Sequence, residues 1–205
     1  MKKLLVIYDK EHANKGTYSY IKAIEKQVED YKLISIEELD EAKITEKTRI
    51  LVLKPMSEEH EKLVKELYNN KPELDIEGQW TSKFTTTAAA ILEMVKEKFG
   101  NERVKVVIIN QSETLGKPLA KKMLDLGYGV ISFNTLSTAN EIQGTLKHYK
   151  PDIVITATGN EKFKIDIKKS IPVIDLSEDV LKEEKVVRHI PTARILKTRL
   201  ETNQE

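Results

Sequence analysis

The chain has 205 residues, of which 34 are basic and 33 acidic, for a net charge of +1. Its lysines interleave with glutamates as on solvated helix faces, which argues against a nucleic-acid binder with a basic patch. The absence of cysteine excludes disulfide and thiolate chemistry, and no apolar run approaches the roughly 20 residues a membrane-spanning helix needs. The opening MKKLLVIY is too short an apolar run for a signal peptide and leads straight into Asp9 and Lys10, so we expect a cytoplasmic protein.

Residues 4–8 read as a first strand, followed by a loop and a helix whose apolar face comes from Tyr20 or Ile21, Ile24 and Val28. Tyr18 and Lys22, four residues apart, share a face of that helix. Residues 33–36 read as a second strand, 37–43 as a brief helix, and 49–53 as a third strand closed by Lys54 and Pro55. Ser57 is placed to cap a helix running through Tyr68, with Glu58 and Glu59 in its first turn, where carboxylates favour the helix dipole. Trp80, the single tryptophan, reads as core filler rather than as the wall of a reshaped pocket. A helix over 85–100 buries Ala88, Ile91, Leu92 and Val95 and stops at Gly100.

The segment 104–126 organises the second half. Val104, Val106, Val107, Ile108 and Ile109 have the β-branched density of a strand buried on both faces of a parallel sheet. Asn110, Gln111 and Ser112 break it, and Pro118 fits the first turn of a helix carrying Leu119, Met123 and Leu126 up to Gly127. Gly116 allows close backbone approach, and the free N–H groups of such a helix start suit the phosphates of a dinucleotide. Strands at 129–133, 152–156 and 172–175, with a helix over 138–149, complete a strand–helix alternation. Asn134 and Thr135 lie where a dinucleotide fold often carries an acidic ribose ligand. The pattern predicts an α/β protein of two domains with a cleft between them: a smaller α/β substrate domain, residues 1–84 completed by a last helix in 191–205, and a Rossmann-like dinucleotide domain, 85–190.

QSETLGKP resembles the cofactor loop of the methylenetetrahydrofolate dehydrogenase/cyclohydrolase family, in which Gly-Arg-Ser precedes two variable residues and Val-Gly-Lys-Pro. Ser112, Gly116, Lys117 and Pro118 match it, while Asn110 and Gln111 replace the Gly and the Arg. PDIVITATGN and IPVIDLS resemble two further strand endings of the family in the same order, and FNTLS resembles its Cys-His-Ser-x-Thr. The resemblance implies NAD or NADP as cofactor, contacted by Asn110, Gln111, Ser112, Gly116, Pro118, Asn134, Thr135, Thr158, Gly159 and, at the Pro-Cys-Thr-Pro position, Thr86. Because the family Arg pairs with the 2′-phosphate, Gln111 weakens the case for NADP.

In the first half the resemblance implies a folate-like small molecule held by Tyr18 and Glu77, with Lys22 as the catalytic lysine of cyclohydrolase chemistry and Tyr18 packed on the substrate. By spacing alone, Tyr18 and Lys22 equally suit a solvated helix face, and Glu77 an exposed turn. The family Gln that supports the lysine falls on Leu53, which can neither donate nor accept a hydrogen bond. Lys54 is expected to point away from it. The family's Gly-rich loop before the last helix is replaced by HIPTARILKTRLETN, and Arg188, His189 and Arg194 give that edge positive character, for solvent, a phosphate or a polyglutamate tail. The resemblance implies a methylenetetrahydrofolate dehydrogenase-like oxidoreductase, with or without residual cyclohydrolase activity, with no metal and a homodimeric assembly. The alternative is a catalytically impaired paralogue that binds a dinucleotide or folate as a sensor or partner subunit. An enzyme acting on another small substrate is also compatible with the fold.

Overall fold

A computed structural model describes residues 2–81, 84–100, 102–181 and 184–202. Ser82 and Lys83, assigned above to the substrate domain, and 203–205, assigned above to the last helix, lie outside the described residues. The chain forms two compact units, Met1–Thr86 with Pro191–Glu205, and Thr87–Ile190.

In the first unit, β1 (Lys3–Tyr8) is flanked by β2 (Tyr31–Ser35) and β3 (Thr48–Leu53), both parallel to it, in the order β2-β1-β3. The two-residue side-chain period splits these strands between two cores. Leu4 and Val6 of β1 and Leu51 and Leu53 of β3 face α1 (Lys15–Glu25) and α6 (Thr192–Glu201), packing with Ile21, Ile24, Leu196 and Leu200. Ile7, Ile50 and Val52 face the other way and pack with Val64, Leu67 and Tyr68 of α2 (Glu58–Asn70). Asn14 caps α1 reciprocally with Thr17, and the Ser57 hydroxyl accepts from the N–H of His60 at the start of α2. The brief helix expected over 37–43 resolves into two one-turn 3-10 helices, Ile36–Glu38 and Glu41–Lys43. Leu39 and Asp40 between them are extended, and the Asp40 carboxylate caps the second by accepting from the N–H of Ala42.

The second unit is a five-stranded parallel sheet: β4 (Lys105–Ile109), β5 (Gly129–Phe133), β6 (Ile153–Thr156), β7 (Val173–Asp175) and β8 (Val186–Val187), in the order β5-β4-β6-β7-β8. From β4 the chain crosses to one side to form β5 and then returns past β4 to form β6 on the other, so the switch point lies between β4 and β6. The two-residue β8 carries no sequence signal strong enough to foresee. Between strands run α3 (Thr86–Phe99), which begins at the last residue of the first unit, α4 (Gly116–Asp125) and α5 (Ala139–Tyr149). Val107, Ile109 and Val154 pack with Ile142 and Leu146 of α5. No helix among the described residues is long and apolar enough to cross a membrane.

Leu196 is fully buried in the α1–α6 core although it arrives more than a hundred residues after the strands it covers. Leu196→Ala should therefore cost about 2–5 kcal/mol, read as a lower urea midpoint together with loss of amide protection in β1 and β3.

Candidate functional site

At the carboxyl end of β3, a pocket of about 110 Å³ is lined by Gly16, Thr17, Tyr20, Leu53, Lys54 and Glu77, among others. Glu77 is 9% exposed. Burial, reinforced by the Asp75 carboxylate and partly offset by Arg199 and Lys54, pushes its carboxyl up to about 7. Its loop is built from both sides. Asp75 accepts N–H bonds from Gly78 (2.9 Å), Trp80 (3.0 Å) and Thr81 (3.0 Å), as well as the Thr81 hydroxyl (2.9 Å). Arg199 of α6 donates to the carbonyls of Ile76 (2.8 Å), Glu77 (3.2 Å) and Phe84.

Tyr20 stands beside Glu77. Burial, then the neighbouring Glu77 carboxylate, hold its phenol above the ordinary value. The Tyr20 hydroxyl and the Thr86 hydroxyl are buried near one another without a formed hydrogen bond. Tyr18 and Lys22 do not line this pocket. Each is two residues from Tyr20, about 200° round the helix, so they occupy the opposite flank of α1. Tyr18 is 47% exposed and meets Tyr8 edge-on, with ring centroids 6.4 Å apart. The residue four after Tyr20 is Ile24, which is fully buried. Lys54 is turned toward the pocket rather than away from it: it lies past the end of β3, pairs with Glu61 at 3.0 Å and sits 4.6 Å over the Trp80 ring. Trp80 in turn lies against Tyr68, the rings tilted by 31° with centroids 6.3 Å apart. Tyr20 was legible only as an apolar-face candidate, because its polar neighbours arrive from remote segments.

In the second unit the candidate cofactor residues gather at the carboxyl ends of β4, β5 and β6. The Asn110 carboxamide bridges the switch point: its nitrogen donates to the Ala157 carbonyl (2.6 Å), and its oxygen accepts from Ser112 N–H (2.9 Å), the Ser112 hydroxyl (2.8 Å) and Gly116 N–H (2.9 Å). At the start of α4, Lys117 N–H donates to the Ser112 carbonyl and Leu119 N–H to that of Leu115, and Pro118 has no N–H. The first-turn donors an anion would use are thus taken internally. Gly116 cannot be enlarged, since a Cβ there would lie 1.9 Å from the Asn110 carbonyl oxygen.

Gln111 donates from its carboxamide to the Ser132 carbonyl at 2.9 Å. Asn134 closes a local turn on Leu136 N–H, and Thr135 is exposed. Thr158 is fixed by Asp179, a fully buried carboxylate the sequence did not single out; it accepts the Thr158 hydroxyl (2.6 Å), the Thr158 N–H (3.0 Å) and the Thr156 hydroxyl. Gly159 takes a left-handed φ of 63°, and a Cβ there would meet open space. Arg188 lies 3.6 Å from the buried Asp175.

Residues 85–198 match the NAD(P)-binding domain of tetrahydrofolate dehydrogenase/cyclohydrolase. The chain belongs to that family. The whole fold is shared with solved tetrahydrofolate dehydrogenase/cyclohydrolases. The bifunctional enzyme of Campylobacter jejuni is 18% identical, with 98% of this chain and 86% of that one covered at a TM-score of 0.66. The Trypanosoma brucei enzyme, solved with NADP and an inhibitor, is 17% identical, with 98% and 84% covered at 0.67. The Thermoplasma acidophilum enzyme is 16% identical, with 98% and 90% covered at 0.65. No curated protein matches the chain in sequence.

The raised Glu77 pKa fixes the sign of a stability effect. Between the ordinary carboxylate value and about 7, the folded chain keeps a proton the unfolded chain has released, so stability falls as pH rises through that window. Glu77→Gln should raise the melting temperature at pH 8, with the gain vanishing near pH 4, as read by calorimetry across the range.

Proposed function

We propose that this family member is an NAD(P)-dependent dehydrogenase of the methylenetetrahydrofolate type that has lost the cyclohydrolase step. The observation that carries the proposal is the Glu77 pocket. Its carboxyl, at the position where the family resemblance implies a folate contact, is buried at a strand end and poised near neutrality, suited to accepting paired N–H donors of a pterin ring. Tyr20 supplies the adjacent aromatic wall.

Loss of cyclohydrolysis is supported by three positions. Leu53 in the pocket wall has no hydrogen-bonding atom, Lys22 lies on the far flank of α1, and Ile24 follows one turn after Tyr20. Dehydrogenation asks chiefly for positioning, so it tolerates these losses better. The nicotinamide, when bound, accepts hydride from the one-carbon bridge of the folate. The chain's part is to hold both partners. The open left-handed turn at Gly159, fixed through Thr158 and Asp179, fits a ribose at the carboxyl edge of the sheet. A phosphate at the start of α4 has to displace the Asn110 carboxamide oxygen. Gln111, neutral and tied to Ser132, offers no cation to a 2′-phosphate and favours NAD over NADP.

The second reading is binding of folate or dinucleotide without turnover, and Asn110 filling the α4 start is the observation that favours it. The two separate in one experiment. Purified protein mixed with methylenetetrahydrofolate and NAD should show growth of the reduced-nicotinamide absorbance, abolished in Glu77→Ala and retained in Lys22→Ala. Hydrolysis of methenyltetrahydrofolate should not be accelerated. Asn110→Gly should tighten NAD binding by about tenfold, the value of one charge-assisted hydrogen bond regained. Tetrahydrofolate binding without turnover would establish the second reading, and failure to bind either ligand would overturn both.

A further inference from the structure

The same carboxyl edge of the first unit carries a second cluster, on the α2 side of the sheet. Asp9 directly follows β1, Glu37 lies in the 3-10 turn after β2, and His60 is in the first turn of α2, after β3. Three consecutive strand-to-helix connections thus bring one side chain each to one point, and a ligand atom from each lies within 4.8 Å of the other two.

We infer that Asp9, Glu37 and His60 form a binding site for a divalent first-row transition cation, with zinc as its natural probe. The Oδ2 atom of Asp9 lies 2.8 Å from Nδ1 of His60 and 3.0 Å from Nδ1 of His12. These are hydrogen-bond contacts; zinc at about 2.0–2.1 Å from each atom would take the place of the shared proton and open the pair to about 3.3 Å. The Asp9 carboxylate is 1% exposed and held rigidly by backbone donors: Glu11 N–H at 3.0 Å and His12 N–H at 3.2 Å on one oxygen, Ser57 N–H at 2.9 Å on the other. Such outer contacts orient a metal-binding carboxylate.

Loop anchoring accounts for the contacts of Asp9 with the backbone and the imidazoles. Glu37, steadied by the Ser35 side chain, adds a second carboxylate beside the buried one, and a cation between the two would offset their mutual repulsion. Imidazole with carboxylates selects zinc and its neighbours over magnesium or calcium. The site rests on unit-one residues outside the Glu77 pocket and stands or falls apart from the dehydrogenase reading.

The test uses the full chain, stripped with chelator and titrated with Zn²⁺ by calorimetry, then with Co²⁺ by visible absorbance. We expect one equivalent bound, a cobalt spectrum of nitrogen and oxygen ligation, and a melting temperature that rises with added zinc. Glu37→Ala and His60→Ala should each weaken zinc binding by at least about tenfold and abolish the thermal shift. Glu37 is exposed, so its variant carries the test if His60→Ala fails to fold. Substoichiometric binding, equal affinity in wild type and Glu37→Ala, or a preference for Mg²⁺ over Zn²⁺ would overturn the assignment.

Discussion

A parallel strand cannot hand the chain directly to its neighbour. It must return through a crossover, and the return places every strand-to-helix connection at the same edge of the sheet. Both units obey this rule, and the candidate chemistry gathers at these edges. Glu77 and Tyr20 stand at the end of β3, Asp9, Glu37 and His60 at the ends of three strands, and Asn110, Asn134 and Thr158 at the ends of β4, β5 and β6. The side chains differ, but the constraint that collects them is the same.

What holds these edges is a set of buried carboxylates accepting backbone N–H and hydroxyl donors. Asp75 fixes the Glu77 loop, Asp9 ties the loop after β1 to the start of α2, and Asp175 and Asp179 pin the turns after β6 and β7. A carboxylate accepting several N–H donors replaces its lost hydration with fixed dipoles, so it can remain buried and charged. Glu77 has no such shell on its carboxyl and is correspondingly pushed toward neutrality. The contrast between Asp75 and Glu77, two residues apart, separates a residue that builds the loop from one left available to a ligand.

Much of the fold was legible because the strands are short, β-branched and punctuated. Residues 104–109 and 152–156 announce themselves as strands, and Ser57 and Thr138 announce helix starts. The site was legible in type and less so in arrangement. Glu77 was visible as a turn carboxylate, but its burial depends on Arg199, more than a hundred residues later. Tyr18 and Tyr20 are alike in sequence, and only the side of α1 that meets the Glu77 loop distinguishes them. Asn110 reads as a loop residue suited to a cofactor, yet its carboxamide takes the donors such a loop would offer, a matter of rotamer that no spacing encodes. Asp179 and the Asp9–His60 pair join distant segments through single side chains, and pattern alone has no means of pairing them.

The first unit is sewn from two pieces, Met1–Thr86 and Pro191–Glu205, with the whole second unit between them. On a ribosome, β1, β2 and β3 emerge with one face of their sheet missing Leu196 and Leu200. They wait for about a hundred residues of synthesis, while the contiguous second unit has all its strands and can close by itself. The half-covered sheet is then the nascent chain's exposed apolar surface, and α6 is the clasp that closes it.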